Sequence, residues 1–308
     1  MPEKVKIYEV GPRDGLQILK SIMPTEAKIL WIKALADAGV KEIEVGSFVP
    51  AKLVPQMADT ATVIQRVCEI TDISITALVP NLRGAQDAMQ YGAHSIIVPI
   101  SVSELHSLAN TRKGTFAQIQ ELQRIVDWNK TQENPMEIEA GCSTAFGCSM
   151  EGVVSEARVV EVATALASTG IDRLALADTV GYANPRMIHS VVKAVRKSIG
   201  NILTKLHLHD TMGLGLANAL AGLNEGIRSF DSASAGLGGC PFAPGASGNI
   251  VTEDLVFMLE SMGFETGINL EKLLAARLIL QESLPQEVMR GSIGIAGIPK
   301  TYRATRPY

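Results

Sequence analysis

Two histidines stand one residue apart in LHLHD, residues 206–210. On a strand, side chains two apart share a face, so His207 and His209 point together while Leu206 and Leu208 point the other way. Near the C-terminal end of a strand such a pair is half a metal site. It is equally a pair of hydrogen-bonded structural histidines, and H-x-H alone does not separate the two readings. Asp210 falls on the opposite phase and reads as structural or as a cap.

A second cluster is EVGPRDGLQ, residues 9–17. Gly11, Pro12 and Gly15 make a turn that presents Arg13 beside Asp14. Asp14 offers a hard oxygen ligand, and Arg13 offers a permanent positive fork to a developing oxyanion. The plainer reading is a surface ion pair within a turn. A third cluster is GLGGCPFAPGASGN, residues 236–249, whose five glycines suit a loop that moves or approaches a ligand closely. A lone cysteine is usually a small buried hydrophobe, but Cys240 has Gly-rich surroundings that favour exposure and reactivity. Asn249 supplies either an amide oxygen ligand or the N-cap of the next helix.

Taken together, Asp14, His207, His209 and Asn249 form a mixed oxygen and nitrogen set without a thiolate. A six-coordinate Mg2+ or Mn2+ fits such a set and keeps positions open for substrate oxygens; two imidazoles also suit Zn2+ or Co2+. Glu44 in EIEVGSF and Asp178 in LALADTVG are carboxylates on strand-like runs, where burial is costly unless they are paired. Each is expected either to support the site or to hold strands in register. Cys142 and Cys148 are too far apart for a CxxC site and read as loop packing, and Cys68 falls on a helix. The glycines at 236–239 lack the frame of a dinucleotide-binding fingerprint.

The elements that must position these residues alternate along the chain. Strand-like runs occur at Val5–Gly11, Glu42–Phe48, Ser74–Pro80, Ser95–Ile100, Met136–Ser143, Arg173–Thr179, Thr204–Asp210 and Ser229–Gly236. Between them lie amphipathic segments such as Thr25–Ala38, Ala58–Glu69, Gly152–Ser168 and Pro185–Lys197. Eight strand–helix units imply right-handed βαβ crossovers and a parallel sheet closed into an α/β (β/α)8 TIM barrel. Active sites of that fold sit where the strands end, and closure brings the first strand beside the seventh and eighth. Helices are expected from about Ser247 to Met262 and from Asn269 to about Val288. The chain therefore reads as one domain, with the barrel over about 5–262 and a helical C-terminal extension over about 263–308. The ending GSIGIAGIPKTYRATRPY has little pattern and is expected to be mobile or to contact a partner.

The 308 residues are 46% hydrophobic and 19% charged, enough for a large core, and the formal net charge is −4. That balance argues against nucleic acid as the main partner, since phosphate backbones demand clustered basic surface. No apolar run approaches the roughly 18 residues that span a bilayer. The start, MPEKVKIYEV, has no signal-like segment ahead of its first strand, and four irregularly spaced cysteines do not make a disulfide framework. No membrane partner and a cytoplasmic location are expected.

The motifs resemble the 3-hydroxy-3-methylglutaryl-CoA lyase family, within a larger group of metal-dependent barrels that includes isopropylmalate and homocitrate synthases. The resemblance runs through EVGPRDGLQ, EVGSFVPAKLVPQM, LVPNLRG, GCSMEG, ADTVGYANP, HLHDTMGLGLANAL and GLGGCPFAPGASGNIVTEDLVFML. The RDG turn and HxH strand are shared with the synthases, whereas the GGCPFAPGASGN loop looks like the lyases alone. The resemblance implies retro-Claisen cleavage to acetyl-CoA and acetoacetate, with Asp14, His207, His209 and Asn249 as metal ligands. It gives Arg13 the enolate of the departing thioester, Cys240 a proton, and Glu44 and Asp178 supporting parts. It further implies Gln17 and Asn110 as coenzyme contacts, a CoA thioester as substrate, and a homodimer as the expected assembly.

Some positions depart from the family pattern. SVSELHSLANTRKG has His106 where an aromatic is usual, GCSMEG replaces GCPYEG, and Gly46 stands where many lyases carry Thr. These positions are expected to line the mouth where the acyl group and CoA would sit. A sibling lyase for another 3-hydroxy-3-alkyl diacid thioester is therefore an alternative. A condensing acyltransferase is disfavoured by the loop containing Cys240, and a non-catalytic scaffold by the retention of every reactive position.

Overall fold

The computed structural model describes residues 2–238 and 248–302. Eight parallel strands, β1 (Lys6–Glu9), β2 (Glu42–Ser47), β3 (Ser74–Leu78), β4 (Ser95–Ser101), β5 (Glu137–Ser143), β6 (Arg173–Asp178), β7 (Leu203–Leu208) and β8 (Ser229–Ser232), pair in sequence order. The ladder closes where Tyr8 lies opposite Asp231 and Glu9 opposite Ser232. This is the eight-fold α/β barrel that the alternation of strands and helices implies. Side chains on the strands' outer phase, such as Leu206, Leu208 and Phe230, are fully buried under the helices. The inner phase is largely polar, with Tyr8, Glu139, Arg173, Lys205 and Asp231 among its members.

The surrounding helices begin where the caps dictate. Asn81, Ser103, Ser155, Asn184 and Asn269 each accept a backbone N–H from the first turn of their helix, satisfying a donor that has no partner within the helix. These helices are α3 (Leu82–Tyr91), α4 (Glu104–Thr111), α6 (Glu156–Ala167), α7 (Pro185–Ile199) and α10 (Leu270–Ser283). The others are α1 (Thr25–Asp37), α2 (Thr60–Val67), α5 (Thr115–Asn129), α8 (Gly215–Asn224), α9 (Thr252–Ser261) and the short α11 (Ser292–Ala296). Among the described residues no helix is long and apolar enough to cross a membrane.

Three ends differ from the sequence expectation, each for a local reason. The first strand stops at Glu9 because residues 11–15 wind into one π-helical turn, in which the amides of Arg13, Asp14 and Gly15 all donate to the Val10 carbonyl. The eighth strand stops at Ser232 because Ala235 adopts a left-handed φ of 59°, its N–H held by both oxygens of buried Glu253. The helix expected to reach Val288 ends at Ser283, since Pro285 pushes the preceding Leu284 out of the helical region. Past it, the segment without sequence pattern packs on α9: Asp254 accepts the amides of Ser292 and Ile293, and Ile293 is buried.

Candidate metal centre and active site

The π-helical turn after β1 carries Arg13 and Asp14 into the barrel mouth, both largely buried. β7 and the residue that follows it deliver His207 and His209 on the strand's inner phase. Their Nε2 atoms lie 3.1 Å apart, and they stand 4.0 and 3.8 Å respectively from Asp14 Oδ2. Asn249 arrives because the chain beyond β8 returns to β7. Ile250 N donates to the Leu208 carbonyl, Asp210 N donates to the Gly248 carbonyl, and His209 bridges Asn249. The Asn249 amide donates to Asp14 Oδ2 at 2.7 Å and to the Leu237 carbonyl at 3.2 Å.

A divalent cation fits this set. Asp14, His207 and His209 offer one ligand atom each, all within 4.8 Å of one another. Asn249 Oδ1 is buried and has no hydrogen-bond partner among the described residues, an acceptor whose burial is costly until something occupies it. A carboxylate oxygen, an amide oxygen and two imidazole nitrogens are donors that Mg2+, Mn2+, Zn2+ and Co2+ all accept.

The electrostatics agree with that use. Burial by itself would raise the Asp14 carboxyl, but Arg13 and the two imidazoles outweigh it and hold the group well below the usual carboxylate range. The imidazoles diverge. Desolvation lowers His209, whereas at His207 the hydrogen bond to Asp231 overcomes desolvation and raises it. Arg13 is gripped by Glu44 on β2, with Nε 2.7 Å from Oε1 and Nη2 donating to Oε2 at 2.7 Å. Its Nη1 donates to Asp14. Two of its five N–H groups thus donate to carboxylates while Nε lies in ion-pair contact with a third carboxylate oxygen, which holds the fork in place.

The remaining expected positions are placed as follows. Asp178, at the end of β6, accepts the amides of Tyr182 and Ala183, so its oxygens order their own loop; burial raises it to about 6. Gln17 is half-buried just past the π-helical turn, and Asn110 is exposed on α4. Cys240 lies outside the described residues. Asp210 accepts the Gly215 amide, capping α8.

Of the departures from the family pattern, Gly46 sits differently from expectation. A Cβ at Gly46 would fall 2.5 Å from Thr60 Oγ1 on α2, so this position faces a helix rather than the acyl group. His106 is buried, with Nδ1 2.7 Å from Ser101 Oγ at the end of β4.

Four buried charged residues, Glu9, Glu139, Lys205 and Asp231, escaped the sequence reading. Glu9 accepts from Gly11 N, Ser234 N, Ser234 Oγ and Thr252 Oγ1, tying the β1 turn to the chain after β8. Asp231 contacts His207 Nδ1 at 3.0 Å, and Lys205 joins Asp231 to Glu139. The signal was present for Asp231: SFDS puts a carboxylate on a strand, as EIEVGSF does for Glu44.

Comparison with known proteins places this geometry. Residues 4–279 match the HMGL-like family. The chain is 44% identical over 278 residues to the mitochondrial hydroxymethylglutaryl-CoA lyase of Mus musculus, covering 90% of this chain and 84% of that one. It is 41% identical over 283 residues to the hydroxymethylglutaryl-CoA lyase of Bacillus subtilis strain 168, covering 92% and 94%. The crystal structure of the Bacillus subtilis HMG-CoA lyase superposes with a TM-score of 0.91 at 39% identity, covering 95% and 97%. The structure of an HMG-CoA lyase from Acinetobacter baumannii, in complex with coenzyme A and 3-methylmalate, gives a TM-score of 0.91 at 38% identity, covering 97% of both chains.

Proposed function

The chain belongs to the HMGL-like family of hydroxymethylglutaryl-CoA lyases, and from that premise we propose that it cleaves 3-hydroxy-3-methylglutaryl-CoA into acetyl-CoA and acetoacetate with a divalent cation. The observation that carries this reading is the meeting of Asp14, His207, His209 and Asn249 beside a fixed Arg13 at the barrel mouth. The CoA-bound relative from Acinetobacter baumannii supports a CoA thioester as substrate. Mg2+ or Mn2+ suits a mixed oxygen and nitrogen set that leaves positions open for substrate oxygens, and the homodimer and cytoplasmic location that the sequence reading implies belong to the same proposal.

In this reading Asp14, His207, His209 and Asn249 would hold the cation, which would supply Lewis-acid chemistry to the substrate. A general base takes the hydroxyl proton, the oxygen becomes the new carbonyl of acetoacetate, and the bond to the thioester's α-carbon breaks. The electron pair passes into the thioester as an enolate. Arg13, held in plane by Glu44, faces the enolate oxygen with its remaining N–H groups and lowers the barrier by stabilising charge that exists only after bond cleavage begins. Cys240 then returns a proton to the enolate carbon, giving acetyl-CoA. Gln17 and Asn110 contact the coenzyme.

The second reading is a sibling lyase for a longer 3-alkyl chain. The observation behind it is α4, where His106 turns inward to Ser101 while Leu105 and Leu108 stay exposed. A panel of 3-hydroxy-3-alkyl diacid thioesters, assayed with Mn2+ and with chelator, tests both. Acetoacetate from the 3-methyl thioester, lost with chelator, is expected. Turnover of only longer homologues selects the sibling lyase, and no turnover of any member sinks both.

A further inference from the structure

His207 and His209 share a face and aim their Nε2 atoms at the same point, yet their other nitrogens are held differently. His209 Nδ1 is buried without a hydrogen-bond partner among the described residues. His207 Nδ1 is 3.0 Å from Asp231 Oδ2, and the two residues lie directly opposite each other across the β7–β8 ladder. Asp231 is 2% exposed, and its other oxygen is 2.8 Å from Lys205 Nζ. That ammonium is in turn 2.7 Å from Glu139 Oε1 on β5. Below the site, then, runs a buried row: Glu139, Lys205, Asp231, His207.

A carboxylate can only accept, so an imidazole hydrogen-bonded to it carries its proton on the bonded nitrogen. The lone pair is then left on the other nitrogen. A carboxylate free to swing would not hold the ring plane, but Asp231 is pinned from behind by Lys205. We propose that Asp231, braced by Lys205, is a positioning residue that fixes the tautomer and ring plane of His207, so that Nε2 stands ready for the cation before it binds. His207 is the pre-set imidazole of the pair, and His209 follows. This rests on the proposed function only in its claim that Asp14, His207, His209 and Asn249 hold a divalent cation.

The test is Mn2+ titration of the full chain stripped of metal, read by the electron paramagnetic resonance signal of free Mn2+. Asp231→Ala is expected to raise the Mn2+ Kd about 10- to 100-fold, the cost typical of removing such a partner. Asp231→Asn, which keeps an acceptor for Nδ1–H, restores part of the loss. Asp231→Ala leaves Lys205 in a half-neutralised interior and can fail to fold. The double variant Lys205→Met/Asp231→Leu removes both charges and is expected to show the same weakened binding. Glu139→Gln stands in the same row but not against His207, so its Kd stays near wild type. Equal losses in Glu139→Gln and Asp231→Asn would reduce the row to a structural part and overturn the proposal. So would wild-type Kd in the folded double variant. A wild-type chain that binds no Mn2+, Mg2+, Zn2+ or Co2+ overturns the metal reading itself, which is a distinct result.

Discussion

Glu44 holds the guanidinium of Arg13 at two points, Oε1 at 2.7 Å from Nε and Oε2 at 2.7 Å from Nη2, inside a barrel mouth where both side chains are nearly inaccessible. A fork clamped in this way loses little entropy when it meets a new anion, and its charge acts through a poorly screening interior. Arg13→Lys keeps the charge but not the fork. It is expected to lower kcat about 10²- to 10³-fold, the scale for losing one oriented oxyanion donor, with KM changed far less. Steady-state kinetics on the thioester checks this; an Arg13→Lys enzyme with wild-type kcat would remove Arg13 from its assigned part.

Removal of metal gives a second prediction. Dialysis against a chelator abolishes acetoacetate formation, and Mn2+ or Mg2+ restores it, because Asp14, His207, His209 and the unpartnered Asn249 Oδ1 converge as donors that fit a divalent cation. The barrel is closed by its own ladders, so the stripped protein stays folded. Added cation at 100 times its Kd should stabilise it by about 2.7 kcal/mol in denaturant melts. Asp14→Asn loses that gain, and a variant that keeps it in full shows that Asp14 is not a ligand.

Glu9 makes stability depend on pH. Burial raises its carboxyl from the ordinary 4.5 to about 7, despite hydrogen bonds from Ser234 and Thr252 that pull it down. A raised folded-state value means that the folded chain binds the proton more tightly than the unfolded chain. The contribution of Glu9 is therefore complete below pH 4.5 and is lost as pH rises toward 7, by about 3 kcal/mol at roughly 1.4 kcal/mol per unit. Glu9→Gln removes that slope. Urea unfolding from pH 4.5 to 7.5 measures it, and parallel wild-type and variant profiles would refute the assignment.

Gly46 and Thr60 form a matched pair. The Thr60 hydroxyl occupies the space a Cβ at Gly46 would need, and it also donates to the Ser47 carbonyl and accepts the Ser47 amide. Gly46→Thr is expected to destabilise the protein by about 1–3 kcal/mol through overpacking. Adding Thr60→Ala recovers much of the loss, and thermal melts of the single and double variants read the coupling. Additive effects would show that the two positions do not share that space.

What the sequence determined by itself is what depends on neighbours along the chain. Period-two alternation in LHLHD placed His207 and His209 on one face of β7, and the hydrophobic rhythm located all eight strands to within a few residues, because both follow from backbone geometry that any strand repeats. Arg13 beside Asp14 was legible for the same reason. What only the tertiary structure decided is what depends on closure. Asn249 reaches Asp14 across 235 positions through backbone bonds to β7 that no local pattern encodes. Asp231 became the partner of His207 only when β8 was laid beside β7, and Gly46, which sequence reading set at the acyl group, turned toward α2. A barrel ties each strand's phase to its own residues, but the identity of the side chain across the ladder, and the path of the loop that follows, are set by contacts between segments far apart in the chain.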